Sequence, residues 1–213
     1  MKIDHHLHTA RHSPDSEIDP RELVRHARAI GLDGLVITEH DYQWGPEELS
    51  ELAGLAAPLR VFSGAEVSAR EGHFLVYGLP SLEEVPPGVE LAALLRAVRQ
   101  HDAAIVAAHP FRWDQPFDAI VAQHGPVFDA LELVSNNVSA ETRSRTEALL
   151  RTHPMRTTGS SDAHEIRTLG CYFTEFDRPI HSIQDFVTAL REGRGHPRHR
   201  PGARLASGPV PSE

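Results

Sequence analysis

The strongest constraint on this chain is its alternation. Short apolar runs rich in Val, Ile and Phe are followed, again and again, by longer amphipathic stretches. Residues 35–38 (LVIT), 103–108 (AAIVAA) and 130–135 (ALELVS) read as buried strands, and residues 1–4, 61–67, 72–79, 155–159 and 171–176 as further strands. Between them, residues 19–31, 46–57, 90–101, 114–124, 139–152 and 182–193 carry helical spacing. The first helix is clearly punctuated, with Asp19 as N-cap, Pro20 in the first turn and Gly31 at the end. Strands alternating with helices predict parallel βαβ units in an α/β domain. About seven such units fit into just under 200 residues, which is more compact than an eight-unit barrel of about 250 residues. No repeat or linker divides the chain, so a single domain is expected over residues 1–195. Residues 196–213, rich in Pro, Gly and Arg, read as a loosely docked or disordered tail.

Several classes are excluded early. The single cysteine, Cys171, rules out an intrachain disulfide and a cysteine-built zinc site. A formal charge of −9 argues against bulk attraction to nucleic acid or membrane. No run approaches the roughly 20 apolar residues of a membrane span. The opening MKIDHHLHT lacks the apolar stretch of a signal peptide, so a soluble, cytoplasmic protein is expected.

The abnormal number is 15 histidines. In IDHHLHT, at the end of the first strand, His6 and His8 project to one face of extended chain, with Asp4 behind them and His5 pointing the other way. ITEHD brings His40, SGAEVS brings Glu66, and GHFLVYG brings His73. AAIVAAHP brings His109, TTGSSDAH brings Asp162 and His164, and the SPDS loop brings Asp15. Most of these fall at or just past the C-terminal end of a strand, the rim where barrel enzymes keep their chemistry. A lone histidine is more often a hydrogen-bonded core residue than a ligand, and His26, His101, His124, His153, His181, His196 and His199 are scattered in that way. Two separate pairs at strand ends are not scatter. Imidazole mixed with carboxylate suits zinc, iron or manganese, and these residues are enough for two or three divalent ions. Two ions about 3.5–4 Å apart form the usual clamp for phosphate ester hydrolysis.

These motifs, in this order, resemble the PHP family, named for polymerase and histidinol phosphatase. Asp4–His8 with Thr9 is similar to its Asp-x-His-x-His-Thr motif, and Ser13–Ser16 to its SPDS loop. Thr38–Asp41 is similar to its T-D-H-D motif, with Glu39 in place of the common aspartate. Gly64–Glu66, His73, Ala108–Pro110 and Ser161–His164 complete the likeness, which spans residues 2 to about 195. The resemblance implies a distorted, TIM-like (βα)7 barrel with a trinuclear site. It implies that His6, His8, Glu66 and Asp162 hold one metal, and that Glu66 bridges to a second completed by His73 and His109. It implies that Asp15, His40 and His164 hold the third. Family members use a histidine or an aspartate before the first helix, and this chain offers both His12 and Asp15; the SPDS match favours Asp15.

The expected activity is hydrolysis of a phosphate ester by hydroxide held between two metals, with Glu66, Asp162 and His164 as the ligands that position it. Arg112 and Arg167 follow ligand motifs closely and are candidates to hold phosphate. Asn136 and Asn137 end a strand at the same rim, as substrate contacts or helix caps. A small phosphorylated metabolite or nucleotide is the expected substrate, because no basic, aromatic-rich segment forms a nucleic-acid groove. The alternatives are a 5′–3′ exonuclease on short oligonucleotides and a metal-binding regulatory module without catalysis. An amidohydrolase-like reading is weakened because the chain's single lysine, Lys2, lies upstream of the motif.

Overall fold

The computed structural model describes residues 1–206, 208 and 210. Among them the strands form two open five-stranded sheets. In the first, β1 (Lys2–Asp4), β2 (Gly34–Ile37) and β3 (Arg60–Ser63) run parallel. On the other side of β1 lie β9 (Tyr172–Phe176) and then β10 (Gly195–His199), each antiparallel to its neighbour. The second sheet follows chain order: β4 (Ala65–Ala69), β5 (Gly72–Tyr77), β6 (Ala104–Ala107), β7 (Ala130–Val134) and β8 (Thr157–Gly159). Six helices connect them: α1 (Pro20–Ala29), α2 (Pro46–Ala56), α3 (Leu91–Gln100), α4 (Phe117–His124), α5 (Ala140–Thr152) and α6 (Ile183–Glu192).

The α/β class is as expected, but the strands do not close into the distorted (βα)7 barrel that the resemblance implies. The turn between β4 and β5 is two residues long, too short for the crossover that a parallel pair needs, so β5 returns antiparallel to both β4 and β6. The two sheets touch through isolated parallel bridges, Leu7 with Ala163 and His40 with Glu66, instead of continuous ladders. They nevertheless share one core. Ile3 and Val36 of the first sheet pack with Leu75, Tyr77 and Val106 of the second, and Phe186 and Leu190 of α6 close the cluster. Each such fully buried side chain contributes about 1.5–3 kcal/mol relative to exposure. Core shared across both sheets makes the chain a single domain.

Two local expectations are corrected. The strand expected over residues 61–67 breaks at Gly64 into β3 and β4. A Cβ at Gly64 would stand 2.7 Å from both Tyr77 Cδ1 and the Val76 carbonyl oxygen, so the backbone can pass there only without a side chain. The expected tail, starting at residue 196, begins inside β10, whose Pro197 is tolerated because β10 is an edge strand. Residues 207, 209 and 211–213 of that stretch lie outside the described residues. No helix among the described residues is long and apolar enough to cross a membrane.

Candidate metal centre

The site begins where β1 ends. Asp4 is buried and accepts hydrogen bonds from the backbone N–H groups of Ser161 and Gly170, both at 2.9 Å. Burial pushes its carboxyl up to about 6, against the lowering effect of those donors. This clamp ties the start of the chain to the segment after β8. Asp162 N–H then donates to the His6 carbonyl at 2.7 Å, and His8 N–H to the Ala163 carbonyl at 3.0 Å. The pleat sends His5 into the core, where its ring nitrogens meet Tyr77 Oη at 2.7 Å and Thr174 Oγ1 at 3.1 Å. His6 and His8 face the opposite way.

There, side chains from both sheets converge. His6 Nε2 lies 3.2 Å from Glu66 Oε2 and 3.3 Å from Asp162 Oδ1. His8 Nε2 lies 3.2 and 3.4 Å from the same two atoms. The other Glu66 oxygen, Oε1, is 2.9 Å from His73 Nδ1 and 3.0 Å from His109 Nε2. His40 Nδ1 is 3.1 Å from Glu66 Oε2, and its Nε2 is 3.1 Å from Asp15 Oδ2. The same Asp15 oxygen is 3.2 Å from His164 Nε2. Ring stacking places His8 between His40 and His164, at centroid distances of 4.2 and 4.3 Å. Three donor groups result: His6, His8, Glu66 and Asp162; Glu66, His73 and His109; and His8, His40 and His164. Glu66 belongs to two of them, and Asp15 joins two histidines of the third at its half-exposed edge.

The donor chemistry fits divalent ions. His6 Nε2, His8 Nε2 and Asp162 Oδ1 are buried without a hydrogen-bond partner, although both nitrogens stand within 3.4 Å of that oxygen. Atoms that approach so closely without aligning as donor and acceptor are aimed at a shared point. Their electrostatics agree. Burial alone would lower His6, but Asp162, Glu132 and Glu66 outweigh it and raise His6 well above the usual imidazole range. The same balance lifts His8 to about 9. Burial would raise Glu66, and the surrounding histidines hold it well below the usual carboxylate range instead.

Supporting residues fix which nitrogen of each ring faces inward. Glu132, buried in the middle of β7, takes His6 Nδ1 at 3.0 Å, Ser160 Oγ at 2.5 Å and the His109 backbone N–H at 2.8 Å. With Nδ1 committed to Glu132, His6 presents Nε2 to the centre. Ser13 Oγ does the same for His8 Nδ1 at 3.3 Å while donating to Glu39 at 2.6 Å. Glu39, at the position where an aspartate is usual, also accepts from Thr9 and from Trp44 Nε1, so it holds the scaffold. Asp41, His109 and Asp162 have positive φ, at 51°, 27° and 50°. Strained backbone of this kind gathers at functional sites.

Sequence reasoning missed Glu132. Its signal was present, since an acid in the middle of an apolar strand must have a partner. The other expected residues divide. His6, His8, Asp15, His40, Glu66, His73, His109, Asp162 and His164 all meet at the centre. His12 does not: it stacks on Tyr42 at 3.8 Å and bonds Glu48 at 2.7 Å. Arg112 Nη1 stands 3.6 Å from Asp162 Oδ2 and borders a cavity of about 280 Å³ shared with Asn136, Asn137, Asp162 and His164. Asn137 Nδ2 donates to Asp162 at 2.6 Å, and Asn136 Nδ2 is buried there without a partner. Arg167 lies elsewhere. A short 3-10 turn, Ile166–Thr168, carries it into solvent, 78% exposed and paired with Glu165.

Residues 141–194 match the family model described as PHP-associated. An uncharacterized protein of Methanocaldococcus jannaschii is 27% identical over 120 residues, covering 52% of this chain and 68% of that one. The fold is shared with PsfC from Pseudomonas syringae, at a TM-score of 0.69 and 22% identity over 95% of this chain and 92% of that one. It is also shared with a two-domain protein from Bacteroides vulgatus containing a predicted PHP-like metal-dependent phosphoesterase, at a TM-score of 0.70 and 20% identity. That alignment covers 94% of this chain and 65% of the two-domain protein. The PHP-associated match over residues 141–194, together with a fold shared with a PHP-like protein, makes this chain similar to the PHP family.

Proposed function

We propose that this protein is a metal-dependent hydrolase of phosphate esters acting on small phosphorylated molecules. The observation that carries the reading is Glu66, whose two oxygens each face a separate set of histidines within 3.2 Å. The ligand sets are His6, His8, Glu66 and Asp162; Glu66, His73 and His109; and His40, His164 and Asp15, adjoining His8. Zinc, manganese or iron held there would supply Lewis acidity toward phosphoryl oxygens and acidify a water molecule. The protein does the rest. Glu132 and Ser13 hold His6 and His8 in one tautomer each. Asn137 fixes the Asp162 carboxylate. Arg112, beside Asp162, offers a bidentate guanidinium to the ester's phosphate, and the free Asn136 Nδ2 offers a further donor in the same cavity. Asp162, Glu66 and His164, as metal ligands, would position the reacting water. The named relationship to a PHP-like metal-dependent phosphoesterase supports the same chemistry.

The test is elemental mass spectrometry of the purified chain with a phosphate-release panel of sugar phosphates, nucleoside monophosphates, histidinol phosphate and short oligonucleotides. Two or three ions per chain, with release from one class, are expected. An ion-free chain after reconstitution with manganese, iron and zinc would overturn the reading. Ions without turnover on any ester would point to a regulatory metal module.

A further inference from the structure

Among the described residues, the large hydrophobic side chains left exposed are Tyr42 and Trp113. Tyr42 has partners, stacking on His12 and donating to Glu48 at 3.0 Å. Trp113 is 68% exposed, and it stands at the metal centre. Its ring is met edge-on by His73 at 5.3 Å and by His109 at 5.7 Å between centroids. The guanidinium of Arg112 lies over one indole face, 3.9 Å from the centroid.

The loop that presents this ring is held rigidly. Phe111, Trp113 and Asp114 have φ of 67°, 52° and 57°, a conformation that persists only where neighbours enforce it. Gln115 enforces it here, donating from Nε2 to the Glu71 carbonyl at 2.9 Å and accepting the Phe111 N–H at 3.3 Å. The indole borders a cavity of about 310 Å³, with His73, His109 and Gln115 among its walls. Arg112 borders both this cavity and the one at Asp162 and Asn136.

From this arrangement we propose that Trp113 is a specificity-determining residue that takes the nucleobase of a nucleoside monophosphate, while Arg112 receives its phosphate. This rests on the phosphoesterase reading above and names its substrate class. A ring backed by a cation favours a flat aromatic partner on its free face. The remaining walls include Arg70, Glu71, Asp114 and Gln115, so the partner needs polar edges, which a nucleobase has and an alkyl chain lacks. A polymer needs several phosphate contacts in a row. The arginines lining the two cavities are Arg112 and Arg70, and Arg70 is paired with Glu90 at 2.7 Å. The site therefore suits one nucleotide.

The experiment uses the metal-loaded full chain and the 5′-phosphonate isostere of adenosine monophosphate, which has no ester to cleave, beside the ring-free phosphonate isostere of ribose 5-phosphate. The chain has two tryptophans, and Trp44 is 3% exposed, so fluorescence quenching by the ligand reports Trp113. The expected result is saturable quenching, with the ribose isostere binding about tenfold or more weakly. With affinities of the variants read by titration calorimetry, W113A should lose that preference. W113F should keep it while losing the quench, which separates stacking from a folding defect. Equal affinity for the two isosteres, or an unchanged preference in W113A, overturns the proposal. Preference for a short oligonucleotide over the mononucleotide by about tenfold also overturns it. Absence of phosphate release from every ester by the metal-loaded wild type would instead overturn the phosphoesterase reading, and the isostere comparison would still decide the role of Trp113.

Discussion

At the scale of single residues, the centre separates donors from the groups that orient them. Glu66 and Glu132 are both buried acids, but Glu66 is shared by histidines on two sides while Glu132 secures His6 from behind. Glu66→Gln is expected to lose ions from two positions and abolish turnover with little change in melting temperature. Full activity in that variant would sink the bridging role. Glu132→Ala should weaken metal affinity by about 10–100-fold, the usual effect of removing a partner that orients a ligand; competition with a chelator measures it. His5 supplies a pH prediction. Burial lowers it to about 4 in the folded chain, against 6.5 for the free ring. Between these values the unfolded chain binds a proton that the folded chain refuses, so stability falls as pH drops from 6.5 to about 4. Denaturant titrations in the presence of chelator should show wild type losing about 3 kcal/mol relative to His5→Gln over that window. Parallel curves would exclude it. The histidines and carboxylates that converge were legible in the sequence because strand ends and two-residue spacing announce them. Glu132 was not, because one acid in ALELV looks like an ordinary break in an apolar run until His6 and His109 are seen beside it.

At the scale of elements, helices and strands were legible and the direction of return was not. Asp19 was expected to cap α1 and does, accepting the N–H groups of Arg21 and Glu22 at 2.9 and 3.0 Å. The β4–β5 hairpin was hidden, because periodicity marks a strand without its sense. That hairpin explains how His73, at the start of its strand, reaches the same rim as residues that end theirs: β5 runs back from the rim. Gly64 makes the approach possible, and Gly64→Ala should destabilise the fold by about 1–3 kcal/mol through overpacking against Tyr77. Because Glu66 is two residues further on, the same variant should hold its ions less firmly. Thermal melts with and without metal test both effects, and an unchanged apo melt would exclude the clash.

At the scale of the whole molecule, residues 196–213 read from composition as a loosely docked or disordered tail, a reading under which removal of residues 197–213 spares hydrolysis of small substrates. The structure gives part of it a load. β10 covers the outer edge of β9, and β9 pairs with β1, which leads into His6 and His8. Leu205 and Ala203 pack near Tyr172. Deleting residues 195–213 should therefore lower the melting temperature by about 5 °C or more and promote association through the bared strand edge. Scanning calorimetry and light scattering measure the two effects, and a chain unchanged in both would show that β10 is an ornament of the fold. Composition could not reveal this, since Pro and Gly mark loose ends and Pro is also admitted at a sheet edge.

The bridge between Leu7 and Ala163 has a consequence in time. Translation delivers His6 long before Asp162. Until Asp162 has been made, the first donor group lacks a member and its histidines have no carboxylate from that segment to close against. Closure of that group waits for Asp162, and a product truncated before it carries the histidines without the cage.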